Sequence, residues 1–132
     1  MSRWEPSDMA GSALGSVAVA VTVLLTVYGQ LAFRWQVRRA GELPEALGDR
    51  AAYLAQLLLS PVIISAFVAG FIAALAWMIA LNRFELSRVY PFMSLSFVLV
   101  LLASAVLFAE TVTLAKVAGI LLIVAGLIVS TR

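Results

Sequence analysis

The stretch PVIISAFVAGFIAALAWMIAL, from Pro61 to Leu81, contains no Asp, Glu, Lys or Arg. A helix needs about 20 mostly apolar residues to cross a hydrocarbon core about 30 Å thick. Such a helix satisfies its own backbone hydrogen bonds, which lipid cannot do. The stretch therefore predicts a transmembrane helix and an all-α membrane protein.

Three further apolar runs meet the same criterion. They are Ala13–Phe33, Val89–Ala109 and about Leu114–Ser130. With Pro61–Leu81 they predict four transmembrane helices in a compact bundle. We expect residues 1–132 to form a single membrane domain.

The overall composition agrees with this prediction. Of the 132 residues, 64% are hydrophobic and 12% are charged, whereas about a quarter of the residues of a soluble domain are charged. A net charge of +2, with dispersed basic residues, argues against a nucleic-acid partner. The chain has no Cys and no His, which removes thiol chemistry and the usual general base. We predict no catalytic set, no cofactor and no metal site.

The first loop, Arg34–Ser60, is longer and more mixed than the other two. Asp49 can cap a short helix that continues through apolar residues and lies in the membrane interface. Ser60 and Pro61 then suit the N-cap and first position of the second span. The alternative is that the second span begins near Ala51 and tilts.

Polar side chains recur along the first span at helical spacing. Thr22, Thr26 and Gln30 form a stripe that leads to Arg34. An amide in lipid is costly unless it is paired. Gln30 can therefore line a substrate path or form an interhelical hydrogen bond near the membrane edge.

Two arginines, Arg83 and Arg88, flank the second connection beside Tyr90. Guanidinium groups at the headgroup level suit bidentate binding of a phosphate. They can equally be topology charges or contacts to bulk anionic lipid. Glu85 lies between them and can neutralise one.

The third span places hydroxyl and aromatic side chains, beginning with Tyr90 and Ser94, at helical spacing. This face can line a groove for a lipid or an amphipathic solute, or it can be ordinary packing with Ser bonded to its own backbone. Glu110 follows the span. It can bind a cationic group, pair with Arg or Lys, or be a solvated helix end.

Small residues form stripes on two spans. On the second span the stripe ends at Trp77 and runs through Ala66, Gly70 and Ala73. Such stripes allow close approach of helices. On the fourth span Gly119 and Gly126 lie seven residues apart. They can form a dimerisation face, pack within the chain or have no role.

Several of these motifs together resemble the small four-helix members of the drug/metabolite transporter superfamily, which are EamA-like and similar to the small multidrug-resistance exporters. The likeness covers about Val27–Phe33 and Trp77–Val129. It rests on Gly29-Gln30-Leu31 before Arg34, on Tyr90-Pro91 with Ser94-Leu95, and on Glu110 before Gly119 and Gly126.

Within the superfamily, the chain most resembles the subunits that flip aminoarabinose-phosphoundecaprenol across the bacterial inner membrane. The resemblance implies an undecaprenyl-phosphate-linked sugar as substrate. It also implies a homodimer, or a heterodimer with a similar small subunit, whose interface is the fourth span. The multidrug exporters carry a membrane-embedded Glu in span one. Aligned on Gly29, the matching residue here is Thr26, which argues against proton-coupled cation export.

The leading hypothesis is a flippase subunit whose substrate contacts are Gln30, Arg34, Trp77, Arg83, Arg88, Tyr90, Ser94 and Glu110. One alternative is an exporter of small cations or metabolites, with Glu110 or Trp77 in recognition. Another is a non-transporting accessory subunit of a membrane glycosyltransferase system. An enzyme is not expected.

Overall fold

The structure, a computed structural model, describes residues 6–132, with side chains from residue 10 onward. Within this range the regular elements are all helical. They are α1 (Pro6–Ala40), α2 (Leu47–Leu58), α3 (Pro61–Arg83), α4 (Leu86–Val89), the 3₁₀ helix η1 (Tyr90–Ser94), α5 (Leu95–Leu107) and α6 (Leu114–Ser130).

Three of the helical stretches are long and apolar enough to cross a membrane. They are Ala10–Ala40 in α1, the whole of α3, and the continuous stretch Leu86–Leu107. The apolar α6 is shorter, with 17 residues, and lies at the lower end of the spanning range of about 17–25 residues. The chain is an integral membrane protein with an all-α bundle, as predicted.

Helix α1 is longer than the predicted span. It continues to Ala40, so that Arg38 and Arg39 lie in its last turn. Positive charges at this position interact favourably with the helix dipole. Gly41 follows with φ of 86°, a left-handed conformation that glycine adopts at little cost and that ends many helices.

The predicted helix in the first loop is present as α2, but Asp49 does not cap it. The N-cap is Ala46, which provides no side-chain cap, and Asp49 lies in the first turn. The turn before the helix is held instead by Arg50, whose Nε donates to the carbonyl of Pro44 at 2.7 Å.

The chain breaks between α2 and α3. Ser60 is the N-cap of α3, where its hydroxyl accepts from the backbone N–H of Ile63 at 3.3 Å and Pro61 takes the first turn. The predicted cap is confirmed, and a single helix running from Ala51 is excluded because this cap separates the two helices.

Helices α1 and α3 form the core of the bundle and run antiparallel. The contact uses an alanine stripe on α3, which keeps the two backbones close. On α1 the buried residue Thr22 lies opposite the stripe, since its Oγ1 is 3.4 Å from the carbonyl oxygen of Ala73. The stripe consists of the buried residues Ala66, Ala69, Ala73, Ala76 and Ala80.

Candidate functional site: a groove between two charged ends

A groove of about 370 Å³ opens between α1 and α3; we call it the first groove. Thr22, Thr26 and Gln30 lie along its α1 wall, so the polar stripe seen in the sequence faces one cavity. Thr22 is buried and donates to the carbonyl of Ala18 at 2.8 Å. Gln30 is exposed, and its amide has no hydrogen-bond partner among residues 10–132.

The α3 wall of the first groove is made by the small-residue stripe and ends at Trp77. Ala66, Gly70 and Ala73 line it, and a Cβ added to Gly70 would meet no atom within 4 Å. The groove exists because these side chains are too short to fill the space. From Ala66 to Trp77 the wall covers roughly 16 Å at about 1.5 Å per residue, half the thickness of a bilayer core.

An aromatic pair closes one end of the first groove. The rings of Trp77 and Tyr90 meet edge to face, with centroids 6.3 Å apart and planes at 66°. Tyr90 is 63% exposed. Aromatic rings of this kind combine an apolar face with a polar tip, and Tyr90 directly follows the arginine-bearing turn in the chain.

The two arginines of that turn lie at the same end of the bundle. Arg83 is in the last turn of α3 and packs across α1, since a Cβ on Gly11 would lie 3.0 Å from its Nη1. Arg88 is in α4. Neither forms an ion pair with Glu85, and in the described part of the chain neither has another carboxylate within ion-pair distance.

Ser94 does not line the first groove with Tyr90, although the two residues are four apart in the chain. The segment between them is a 3₁₀ helix, with about 3.0 residues per turn, so that residues four apart no longer share a face. The Ser94 hydroxyl donates to the carbonyl of Pro91 at 2.5 Å. Its neighbour in the first groove is instead Met93.

At the opposite end of the bundle, an ion pair and hydrogen bonds join α1 to the segment that follows α5. Arg34 Nη2 lies 2.8 Å from Glu110 Oε1, and Arg34 Nε donates to the same oxygen at 3.0 Å. Arg38 Nη1 donates to the carbonyl of Phe108 at 3.0 Å and its guanidinium lies 5.7 Å from the centre of that ring. Ala109 between them has φ of 51°, a strained value for a residue with a Cβ.

Gly119 and Gly126 lie on α6, which contributes no buried residue. A Cβ added to either would meet nothing within 4 Å. The small-residue face of α6 is therefore open within the described chain, and these glycines are not brought to the first groove.

A second groove, which the sequence did not reveal, lies between the N-terminal half of α1 and the α4–α5 segment. It has a volume of about 690 Å³. Its walls include Ser12 and Ser16 on α1, Phe84 and Arg88 after α3, and Leu99 on α5. Val89 and Tyr90 turn to opposite sides of the segment, so that Val89 lines the second groove and Tyr90 the first.

Comparison with known proteins places these features in a family. The model of the EamA-like transporter family matches residues 4–132. The chain is 36% identical to the probable 4-amino-4-deoxy-L-arabinose-phosphoundecaprenol flippase subunit ArnF of Pseudomonas paraeruginosa over 116 residues, covering 86% of this chain and 82% of the relative. It is 35% identical to the probable subunit ArnE of Pseudomonas aeruginosa over 124 residues, covering 90% and 98%.

A relative outside Pseudomonas is the probable ArnF of Serratia proteamaculans. Identity is 34% over 110 residues, covering 81% of this chain and 84% of the relative. No solved structure matches the chain.

Proposed function

Since the chain belongs to the EamA-like transporter family, we propose that it is a subunit of a flippase that moves an undecaprenyl-phosphate-linked aminosugar across the bacterial inner membrane. The substrate class is that in the names of its relatives. The observation that carries the proposal is the first groove, which has a polar wall and an aromatic end and runs between two ends that bear arginines.

The first groove has the size and chemistry for a sugar headgroup. Its volume of about 370 Å³ lies in the range of small-molecule sites, roughly 300–1,000 Å³. The Gln30 amide supplies donors and an acceptor for sugar hydroxyls. Trp77 and Tyr90 supply apolar ring surface. A sugar bound here would lie between the α1 and α3 walls.

The phosphate is assigned to the arginine-bearing turn. Arg83 and Arg88 present guanidinium groups at the bundle end beside Tyr90, and each can bind phosphate oxygens in bidentate geometry. Ser94 lies at the far end of η1, where its role is to support that segment through its bond to Pro91.

The opposite end is assigned to release or entry of the sugar. Arg34 and Glu110 hold each other across the ends of α1 and α5, so that a substrate group must compete with this ion pair for either side chain. This arrangement disfavours export of small cations through Glu110, because that carboxylate is bound to an arginine.

A similar small subunit is the proposed partner. Relatives are named as subunits ArnE and ArnF, and the open Gly119–Gly126 face of α6 suits close contact with another helix. A second chain would also complete a path that four thin helices do not enclose. The proposed role is transport and not catalysis.

Reconstituted proteoliposomes test the function. The substrate, undecaprenyl phosphate bearing aminoarabinose, has a primary amine that an impermeant amine reagent modifies only in the outer leaflet. We expect the protein, alone or with a second subunit, to move the lipid between leaflets. Gln30→Leu and Trp77→Ala should slow the movement about tenfold, the effect of a lost polar or aromatic contact.

Trp35→Ala is the matched control, because Trp35 is 41% exposed and stacks beneath Arg39 away from the groove. Equal rates in the Trp77 and Trp35 variants would contradict the assignment of the first groove. A protein that moves no lipid under any pairing, yet purifies with a glycosyltransferase, would instead be an accessory subunit.

A further inference from the structure

The second groove has a polar mouth and an apolar interior. Ser12, Ser16 and Arg88 line it at the end where α1 begins. Because α3 runs antiparallel to α1, the turn that follows α3 lies at this same end, and Phe84 packs against Gly15. Among the described residues of the lining, Arg88 alone is charged, and it therefore lies at the level of the membrane boundary.

Deeper in the bundle the second groove is lined by hydrocarbon. Val19, Val23 and Leu24 continue its α1 wall, and Leu95 and Leu99 form the α5 wall. From Ser12 to Leu24 the groove follows α1 for about 18 Å at roughly 1.5 Å per residue. Ser12, Ser16, Ala20 and Leu24 of the α1 wall are all exposed, so the groove is open to lipid along its length.

This gradient matches an amphiphile with one anionic group and one chain. A phosphate at the mouth would meet Arg88, and the chain would lie along the apolar walls, where dispersion contacts with the side chains replace contacts with lipid. The groove is a single channel with α1 on one side and the α4–α5 segment on the other, and a polyprenyl phosphate has a single chain, whereas a diacyl phospholipid carries two.

We propose that the second groove binds the phosphate-proximal isoprene units of the polyprenyl phosphate, with Arg88 at the phosphate; this rests on the proposed flippase function. The α4–η1 segment then separates the two halves of the substrate. Tyr90 faces the sugar in the first groove while Val89 faces the isoprenoid in the second. The chain is held by the protein during translocation, and the rest of it remains in the bilayer.

The test uses the full-length protein in detergent, with unsugared undecaprenyl phosphate as the probe and native mass spectrometry as the measurement. Val19→Trp fills the second groove. Val17→Trp is the matched control, because Val17 is 59% exposed and lines neither groove. We expect wild type and Val17→Trp to bind the probe alike, and Val19→Trp to bind on the order of tenfold more weakly, because the larger ring occupies the groove.

A second matched pair guards against misfolding of one variant. Leu99→Trp blocks the second groove from its α5 wall. Leu102→Trp is its control, because the Leu102 side chain is 55% exposed and does not line the groove. Agreement between the two pairs supports the site. Equal binding by the blocked and control variants that remain folded by circular dichroism would overturn it.

Competition with dioleoyl phosphatidate separates the substrate from ordinary lipid. We expect a severalfold excess of phosphatidate to leave the polyprenyl phosphate bound. Displacement at equal concentration would make the groove a general phospholipid site and overturn the proposal. If Val19→Trp binds normally and still transports the sugar-bearing lipid, only this groove assignment fails, and the flippase function stands.

Discussion

Arg34, near the end of α1, and Glu110, three residues after α5, form an ion pair at 2.8 Å although they are 76 residues apart in the chain. Four residues further along α1, Arg38 donates to the carbonyl of Phe108. The helix that carries the polar stripe is thereby tied to the end of the third span. The pair lies at the opposite end of the bundle from Arg83 and Arg88.

Breaking the Arg34–Glu110 pair should loosen this end without unfolding the protein. The side chains are 52% and 32% exposed, and exposed pairs contribute at most about 1 kcal/mol. We expect Arg34→Gln and Glu110→Gln each to raise amide hydrogen exchange in residues 108–113 while the unfolding temperature changes little. Exchanging the charges, Arg34→Glu with Glu110→Arg, should restore protection.

Arg39→Gln is the control for this experiment. Arg39 is on the same helical turn as Arg38, but its guanidinium stacks on Trp35 at 4.7 Å and does not reach α5. Exchange in residues 108–113 should stay as in wild type. If the charge-exchanged protein is no more protected than the single variants, the ion pair does not hold the two helices together.

Two adjacent alanines on α3 should respond differently to the same substitution. Ala73 is buried against α1 and lies beside Thr22 Oγ1, whose distance to the Ala73 carbonyl is 3.4 Å. Ala74 is exposed in the first groove. Ala73→Leu should lower stability by about 1–3 kcal/mol through overpacking. Ala74→Leu should leave thermal unfolding unchanged and slow transport by narrowing the groove.

The measurements are thermal unfolding in detergent and sugar-lipid movement in proteoliposomes. Loss of stability in both variants would mean that Ala74 also packs against a helix. Full transport by Ala74→Leu would mean that the substrate does not pass the α3 wall.

A third pair of substitutions tests the close approach of α1 and the turn after α3. A Cβ on Gly15 would lie 2.5 Å from Cε2 of Phe84 and 3.0 Å from Cβ of Arg83. Gly15→Ala must displace the ring or the helix, and we expect it to destabilise by about 1–3 kcal/mol. Gly48→Ala, in α2 with no atom within 4 Å, should be neutral or stabilising by up to about 1 kcal/mol. Calorimetry in the same detergent compares them.

The sequence predicted those parts of the fold that depend on local composition and spacing. Apolar length identified the bundle, and Ser60 with Pro61 marked the start of α3. The cap of α2 was missed because the residue that stabilises its start is Arg50, whose bond to the carbonyl of Pro44 leaves no pattern in the sequence. Asp49 is a residue type that commonly caps helices, but it lies three residues after the actual N-cap, Ala46.

For the candidate site, the sequence predicted the stripes of polar and small residues on single helices. It did not predict which of these stripes line the same groove. Thr22, Thr26 and Gln30 share the first groove with the small residues of α3, as regular helices require. The position of Ser94 was not predictable from a period of 3.6 residues, because η1 winds more tightly. The Arg34–Glu110 pair and the second groove depend on packing between distant helices, which one sequence does not specify.

The glycines of α6 provide a test of assembly that is independent of the monomer fold. Neither Gly119 nor Gly126 has an atom within 4 Å of an added Cβ, so Gly119→Leu with Gly126→Leu should leave the helical content and thermal unfolding of the monomer unchanged. If α6 is the interface with a second subunit, close approach needs the missing side chains, and the double variant should lose the dimer in chemical crosslinking within native membranes. Leu121→Ala with Ile128→Ala, at exposed side chains on the same helix, is the control and should crosslink like wild type. A double glycine variant that still dimerises would move the interface away from this face of α6.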